Sequence, residues 1–148
     1  MTSAYKQIQL TNKTITSVAV DQFFPFGTVT RRINPPYICC NTFVVSSSTN
    51  DTVVLNDPGF YKVTYSLTAT AAAAGEVTVA LVTNGTSVYS VTQTIVDEAN
   101  AVNLTLVYTV RVAPTYGSAP ENVPVALQLQ NTGIALTGET ANLVIEKV

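Results

Sequence analysis

The sequence predicts an all-β protein, a two-sheet sandwich of about ten short strands. Several stretches alternate apolar and polar residues with the period of two that marks a strand with one dry face, and no helical period persists anywhere. Turn signals, above all Asn84-Gly85 and the proline and glycine clusters, punctuate the chain at strand-length intervals. Composition agrees: 47% of residues are hydrophobic and only 11% charged, with many Thr, Val and Asn, which suits pleated, half-buried surfaces. With 148 residues the chain fits one domain, because folded chains of this size hide roughly 70% of their extended surface.

Residues 1–14 show alternation only at Ile8 and Leu10 and read as an N-terminal arm or anchor ahead of a single domain over residues 15–148. Within that arm Tyr5, Lys6, Ile8, Leu10 and Lys13 form a candidate attachment segment, basic and unopposed by any acid before Asp21. Ile15 to Val20 is a candidate first strand. Phe23-Phe24-Pro25-Phe26-Gly27 is an aromatic cluster whose proline confines it to an edge or loop, with its rings closing one end of the core. Thr28 to Ile33 alternates and is stopped by Asn34-Pro35-Pro36. Tyr37 to Val45 and Thr52 to Leu55 read as a hairpin around Ser46 to Asp51. Cys39 and Cys40 are adjacent, so on a strand they point to opposite faces and read as two buried free thiols.

The clearest strand is Tyr61 to Ala69, with Tyr61, Val63, Tyr65, Leu67 and Ala69 on one side and Lys62, Thr64, Ser66 and Thr68 on the other. Ala71 to Ala74 is too short for a stable helix and reads as a loop. Asn84-Gly85 then supplies two residues tolerant of positive φ, as a two-residue hairpin turn requires. The expected register sets Thr83 opposite Thr86, Leu81 opposite Val88 and Ala80 opposite Tyr89, leaving this hairpin apolar on both sides. Ala101 to Val112 carries Val102, Leu104, Leu106, Tyr108, Val110 and Val112 on one face. A loop over 114–122 leads into the alternation Val123, Val125, Leu127, Leu129. The last strand, Ala141 to Val148, is apolar on both faces and is expected at the centre of a sheet.

Gly59-Phe60-Tyr61-Lys62-Val63-Thr64-Tyr65 resembles the G-x-Y-x-F-x-[FY] element of C1q/TNF-like domains, with Val63 replacing the usual aromatic. Pro58-Gly59, the L-x-x-N-G-T run from Leu81 to Thr86 and the A-x-L-x-I-x-K run from Ala141 to Lys147 are similar to the bacterial and phage branch of that superfamily. Its members include the C-terminal domains of spore-surface collagen-like glycoproteins and C1q-like phage virion proteins. The resemblance covers the chain from about Asp51 onward; upstream, Val53 and Ser46 stand where the longer signature has aromatics. It implies a jelly roll that closes as a homotrimer by a head-to-tail contact. Tyr65, Tyr89 and Tyr108 are the candidate trimer-interface residues, since tyrosine offers large contact area with a polar tip.

Histidine is absent, which excludes Ser-His-Asp and Cys-His catalysis and any His-ligated metal. Acid pairs such as Asp97-Glu98 lack the tryptophan platforms of a sugar-cleaving cleft, no D-x-[DN]-x-[DN]-G run is present, and there is no Gly-rich phosphate loop. The expectation is no enzyme, no cofactor and no metal. Three arginines and four lysines in a chain of net charge -2 make no phosphate-tracking stripe, so no nucleic-acid partner is expected. Residues 1–50 carry Lys6, Lys13, Arg31 and Arg32 against Asp21, whereas residues 51–148 carry Lys62, Arg111 and Lys147 against eight acids, hinting at a docking end. No apolar run approaches the ~20 residues of a membrane span, and the polar start Thr2 to Lys6 is unlike a signal peptide. Together with the resemblance, this implies a phage virion structural protein made in the bacterial cytoplasm: a head fibre, capsid decoration or tail-associated trimer partnered by the major capsid protein or another virion protein. The alternative is a surface-recognition module for a glycan or receptor on a host or spore surface.

Overall fold

A computed structural model describes residues 6–13, 17–33, 42–96, 101–113 and 124–148. Its strands are β1 (Gln7–Asn12), β2 (Ser17–Val18), β3 (Thr28–Ile33), β4 (Phe43–Val45), β5 (Val53–Leu55), β6 (Gly59–Ala71), β7 (Gly75–Thr83), β8 (Thr86–Ile95), β9 (Ala101–Val112), β10 (Val125–Asn131) and β11 (Leu136–Lys147). One sheet has the order β3-β1-β11-β6-β9, with β2 also pairing β11; the other runs β4-β5-β10-β7-β8. All the pairings are antiparallel. This is the expected two-sheet jelly-roll sandwich.

Alternation builds the core. Tyr61, Val63, Tyr65, Leu67 and Ala69 of β6 are buried, as are Val102, Leu106, Val110 and Val112 of β9 and Val125, Leu127 and Leu129 of β10. The twelve residues of β11 lie between β1 and β6, so the final strand is central, as its two apolar faces foretell. The loop over Ala72 to Ala74 carries the chain from one sheet to the other, since β6 and β7 belong to different layers. Phe24 and Phe26 are buried; Phe24 packs at 5.7 Å on the Tyr65 ring, and its N–H donates to the Leu129 carbonyl of β10.

Two sequence expectations are corrected. Residues 7–12 are not an arm: they form β1, paired with β11 on one side and β3 on the other, with Ile8 and Leu10 in the core. A strand of six residues needs only two or three inward side chains, too few to register as a periodic signal. Lys13 is exposed just beyond β1, while Tyr5, Cys39 and Cys40 lie outside the described residues. The second correction is to the hairpin. Asn84 and Gly85 take φ of 49° and 82°, the positive values the turn requires, and Thr83 pairs with Thr86. A bulge then intervenes, so Leu81 pairs with Tyr89 and Ala80 with Ser90.

Candidate assembly surface

The bulge decides where Tyr89 goes. Side chains alternate across a strand, so a shift of one residue moves every following side chain to the other face. Opposite Leu81, Tyr89 turns inward toward the seam between the sheets rather than outward beside Ala80. β8 and β9 are the edges of the two sheets along that seam, and Tyr108 of β9 meets Tyr89 there. Their rings stack with centroids 5.1 Å apart and planes 18° from parallel. Tyr89 remains 42% exposed and Tyr108 half-buried, with Val88 and Val107 exposed on either side. The edge is therefore plugged by a stacked pair whose outer surface is apolar and uncovered.

Tyr65, the third candidate, stands apart from this pair. It is 2% exposed, on the inward face of β6 against Phe24, and its hydroxyl has no hydrogen-bond partner. Burial pushes its phenol well above the usual tyrosine range. A side chain sealed inside one chain cannot form a subunit contact, so Tyr65 is a core residue. Its own alternation with Tyr61 and Val63 carried that signal.

The open face of the β3-β1-β11-β6-β9 sheet is almost free of charge at its centre. Cross-strand register aligns Val144, Thr64 and Val107 in one row and Thr11, Asn142, Ser66 and Thr105 in the next. Asn142 Oδ1 accepts from Gln9 Nε2 and from Thr11 Oγ1, each at 3.0 Å, so these amides and hydroxyls hold one another flat. Such a face presents small neutral groups across β1, β11, β6 and β9, a surface onto which a second sheet edge can settle without desolvating ions.

Where β1 begins and β11 ends, an ionic cluster joins the two. Lys6 is 2% exposed, and its Nζ lies 2.5 Å from Asp57 Oδ2; Lys147 Nζ reaches the same oxygen at 2.9 Å. Asp57 sits in the connection between β5 and β6, and the Tyr61 hydroxyl donates to its carbonyl. Burial alone raises the Asp57 carboxyl, but the two ammonium groups outweigh it and hold the group below the ordinary carboxylate value. The Tyr61 phenol is pushed above its usual range by burial and by the neighbouring Asp57 charge. Lys6, expected in a free arm, is thus a structural cation; its acidic partner lies 51 residues away, which no local pattern discloses. Among the described residues no group of three acids or thiols is placed to hold a metal ion.

No family model matches the sequence, and no curated protein sequence matches it either. Solved structures do match the fold. The globular domain of zebrafish complement 1qA superimposes with a TM-score of 0.62 at 7% identity, covering 97% of this chain and 96% of that one. Eiger TNF from S. frugiperda gives 0.65 at 9% identity over 97% of this chain and 91% of its own. PRD1 vertex protein P5 gives 0.59 at 12% identity, with 99% of both chains covered. At these identities the likeness is one of fold: the chain is a jelly roll of the C1q/TNF-like kind.

Proposed function

We propose that this chain is a structural virion protein of a bacteriophage that works as a trimeric jelly roll displayed on the particle. The observation that carries the assembly part is the uncovered Tyr89–Tyr108 stack at the β8–β9 edge, flanked by Val88 and Val107. A head-to-tail contact needs two different surfaces, an edge and a receiving face, and closes into a ring when the rotation is right. The tyrosine edge supplies the first surface, and the neutral hydroxyl and amide face of β1, β11 and β6 supplies the second. The virion part is supported by the motif resemblance of Pro58-Gly59, Leu81 to Thr86 and Ala141 to Lys147, and by the fold likeness to a vertex protein that spans nearly the whole of both chains. The role proposed is one of architecture.

Sedimentation equilibrium tests the assembly reading directly. The 15.7 kDa chain should run as a trimer at micromolar concentration, and Tyr89→Ser with Tyr108→Ser should run as a folded monomer. A monomeric parent chain would end the proposal. The particle reading is tested by adding the purified chain to virions lacking it: saturable co-sedimentation supports it, and a chain recovered entirely in the supernatant refutes it.

A further inference from the structure

β3 is the outermost strand of its sheet: it pairs with β1 on one side, and among the described residues no strand pairs with the other. Its residues from Thr28 to Arg32 are all exposed, so neither of its faces is packed against a neighbouring element. We propose that this open edge takes up an extended, acidic segment of a partner protein as an added strand, with Arg31 and Arg32 holding two neighbouring carboxylates of that segment.

The register with β1 places the two arginines. Arg31 pairs with Gln9 and Arg32 with Ile8; Ile8 is buried in the core, so Arg32 points to the inner side of the sheet and Arg31 to the outer. The edge thus carries one guanidinium on each face at adjacent positions, and the residues that stand opposite them on a neighbouring strand are themselves adjacent. Arg32 is aimed by a bond of 2.8 Å from its Nη1 to the Phe43 carbonyl of β4, which leaves the rest of its planar fork for a carboxylate. Among the described residues neither arginine forms an ion pair. The ladder with β1 is interrupted at Thr30, whose hydroxyl donates to the Gln9 carbonyl at 3.3 Å, so the extra residue is tied to β1 and does not stand out across the free edge.

Charge decides among occupants. Besides the two arginines, the exposed Lys13 follows β1 at the end where Thr11 pairs with Thr28. The β3 of a second copy laid on this edge would bring both pairs of guanidinium groups together, and like charges across strands repel. An acidic segment removes that repulsion and adds charge-assisted bonds, while the unpaired backbone groups of the edge supply the affinity common to strand addition. Val29, 36% exposed and on the inner side opposite Leu10, offers the same segment an apolar contact. The edge lies one strand beyond β1 and shares no residue with the tyrosine edge or with the face of β1, β11, β6 and β9, so this inference does not rest on the trimer.

The test is a titration of the isotope-labelled full-length chain, followed by amide shifts and hydrogen exchange, with a short synthetic peptide of alternating Thr and Val that carries Asp-Glu at its centre. Two control peptides replace Asp-Glu by Lys-Lys or place prolines at alternate positions. The acidic peptide should bind at about millimolar strength or tighter, roughly tenfold or more ahead of both controls, and more weakly as salt is raised. Its binding should slow exchange at those amides of residues 28–33 that face away from β1, which a loose electrostatic contact would not do. Arg31→Glu, at an exposed position, should keep the melting temperature and turn the preference toward the Lys-Lys peptide. Equal binding of either control, exchange slowed only outside β3, outward amides of β3 already protected without peptide, or an Arg31→Glu protein that still prefers the acidic peptide would each overturn the proposal.

Discussion

Replacing Asp57 by Asn removes the carboxylate that two lysines share. Lys6, with a side chain only 2% exposed, would keep its charge and lose its counter-ion, retaining at most an amide oxygen. Removing one partner of a buried ion pair costs roughly 3–5 kcal/mol; Asp57 is 31% exposed, so water screens part of that, and about 2–4 kcal/mol is expected here. For a chain of this length that corresponds to a melting temperature lower by roughly 4–16 °C. The pH dependence has a definite sign. The Asp57 carboxyl is held below its unfolded value, so its stabilisation is complete above the ordinary carboxylate range and is lost as pH falls through the folded value. The gap between parent and Asp57→Asn should accordingly be constant near neutrality and narrow on acidification toward about pH 4 and below. Calorimetric melts across pH measure both, and the double change Lys6→Met with Asp57→Leu should recover most of the loss, because neither charge is then buried alone. An Asp57→Asn protein within about 0.5 kcal/mol of the parent, or a gap that does not shrink in acid, would refute the reasoning.

Tyr65→Phe removes a buried hydroxyl that has no partner, so the variant should be more stable by about 1 kcal/mol and keep the parent's oligomeric state; a loss of more than 1 kcal/mol in a denaturant titration would mean that the hydroxyl is satisfied after all. Gly27→Ala should be damaging: φ is +81° there, and a Cβ would stand 2.3 Å from the Thr11 carbonyl oxygen, so the cost should exceed the 1–2 kcal/mol of a left-handed alanine, visible as a lower melting temperature or loss of soluble protein. Deleting Val88 should remove the extra residue of the bulge and leave Tyr89 opposite Leu81 in a regular ladder, so the Tyr89–Tyr108 ring-current shifts in the proton spectrum should persist; their loss would refute the bulge reading.

The strands that alternate over eight or more residues were legible from the sequence, including the faces of β6 and β9 and the central place of β11. Each such residue choice is set by one dry side and one wet side, a local property. β1 was not legible, because three of its inward positions are Ile8, Leu10 and Asn12, and the last is an amide that donates to the Pro25 carbonyl. A buried asparagine satisfied by a distant backbone looks, in sequence, like solvent-facing polarity. The bulge after the Asn84-Gly85 turn also left no local mark. Turn chemistry fixes the first pair, Thr83 with Thr86, but the extra residue brings Tyr89 to Tyr108 across the seam, a contact with a strand that starts twelve residues later. Of the three tyrosines singled out, the two that meet do so for this reason. The Lys6–Asp57–Lys147 cluster joins residues 51 and 90 positions apart, and charge counting along the chain cannot see such a closure.

The central position of β11 has a consequence for the order of events on the ribosome. β11 is synthesised after the other described strands, yet it separates β1 and β3 from β6 and β9. Until it emerges, that sheet exists only as two ribbons with facing unpaired edges, and neither the row of Val144, Thr64 and Val107 nor the ionic cluster at Lys147 can form. The receiving face proposed for a second copy is therefore withheld from nascent chains, and neighbouring ribosomes on one message cannot join half-made subunits through it. The same delay exposes the inner edges of β1 and β6 to any other strand within reach, so chains stalled before residue 136 should be the ones that aggregate.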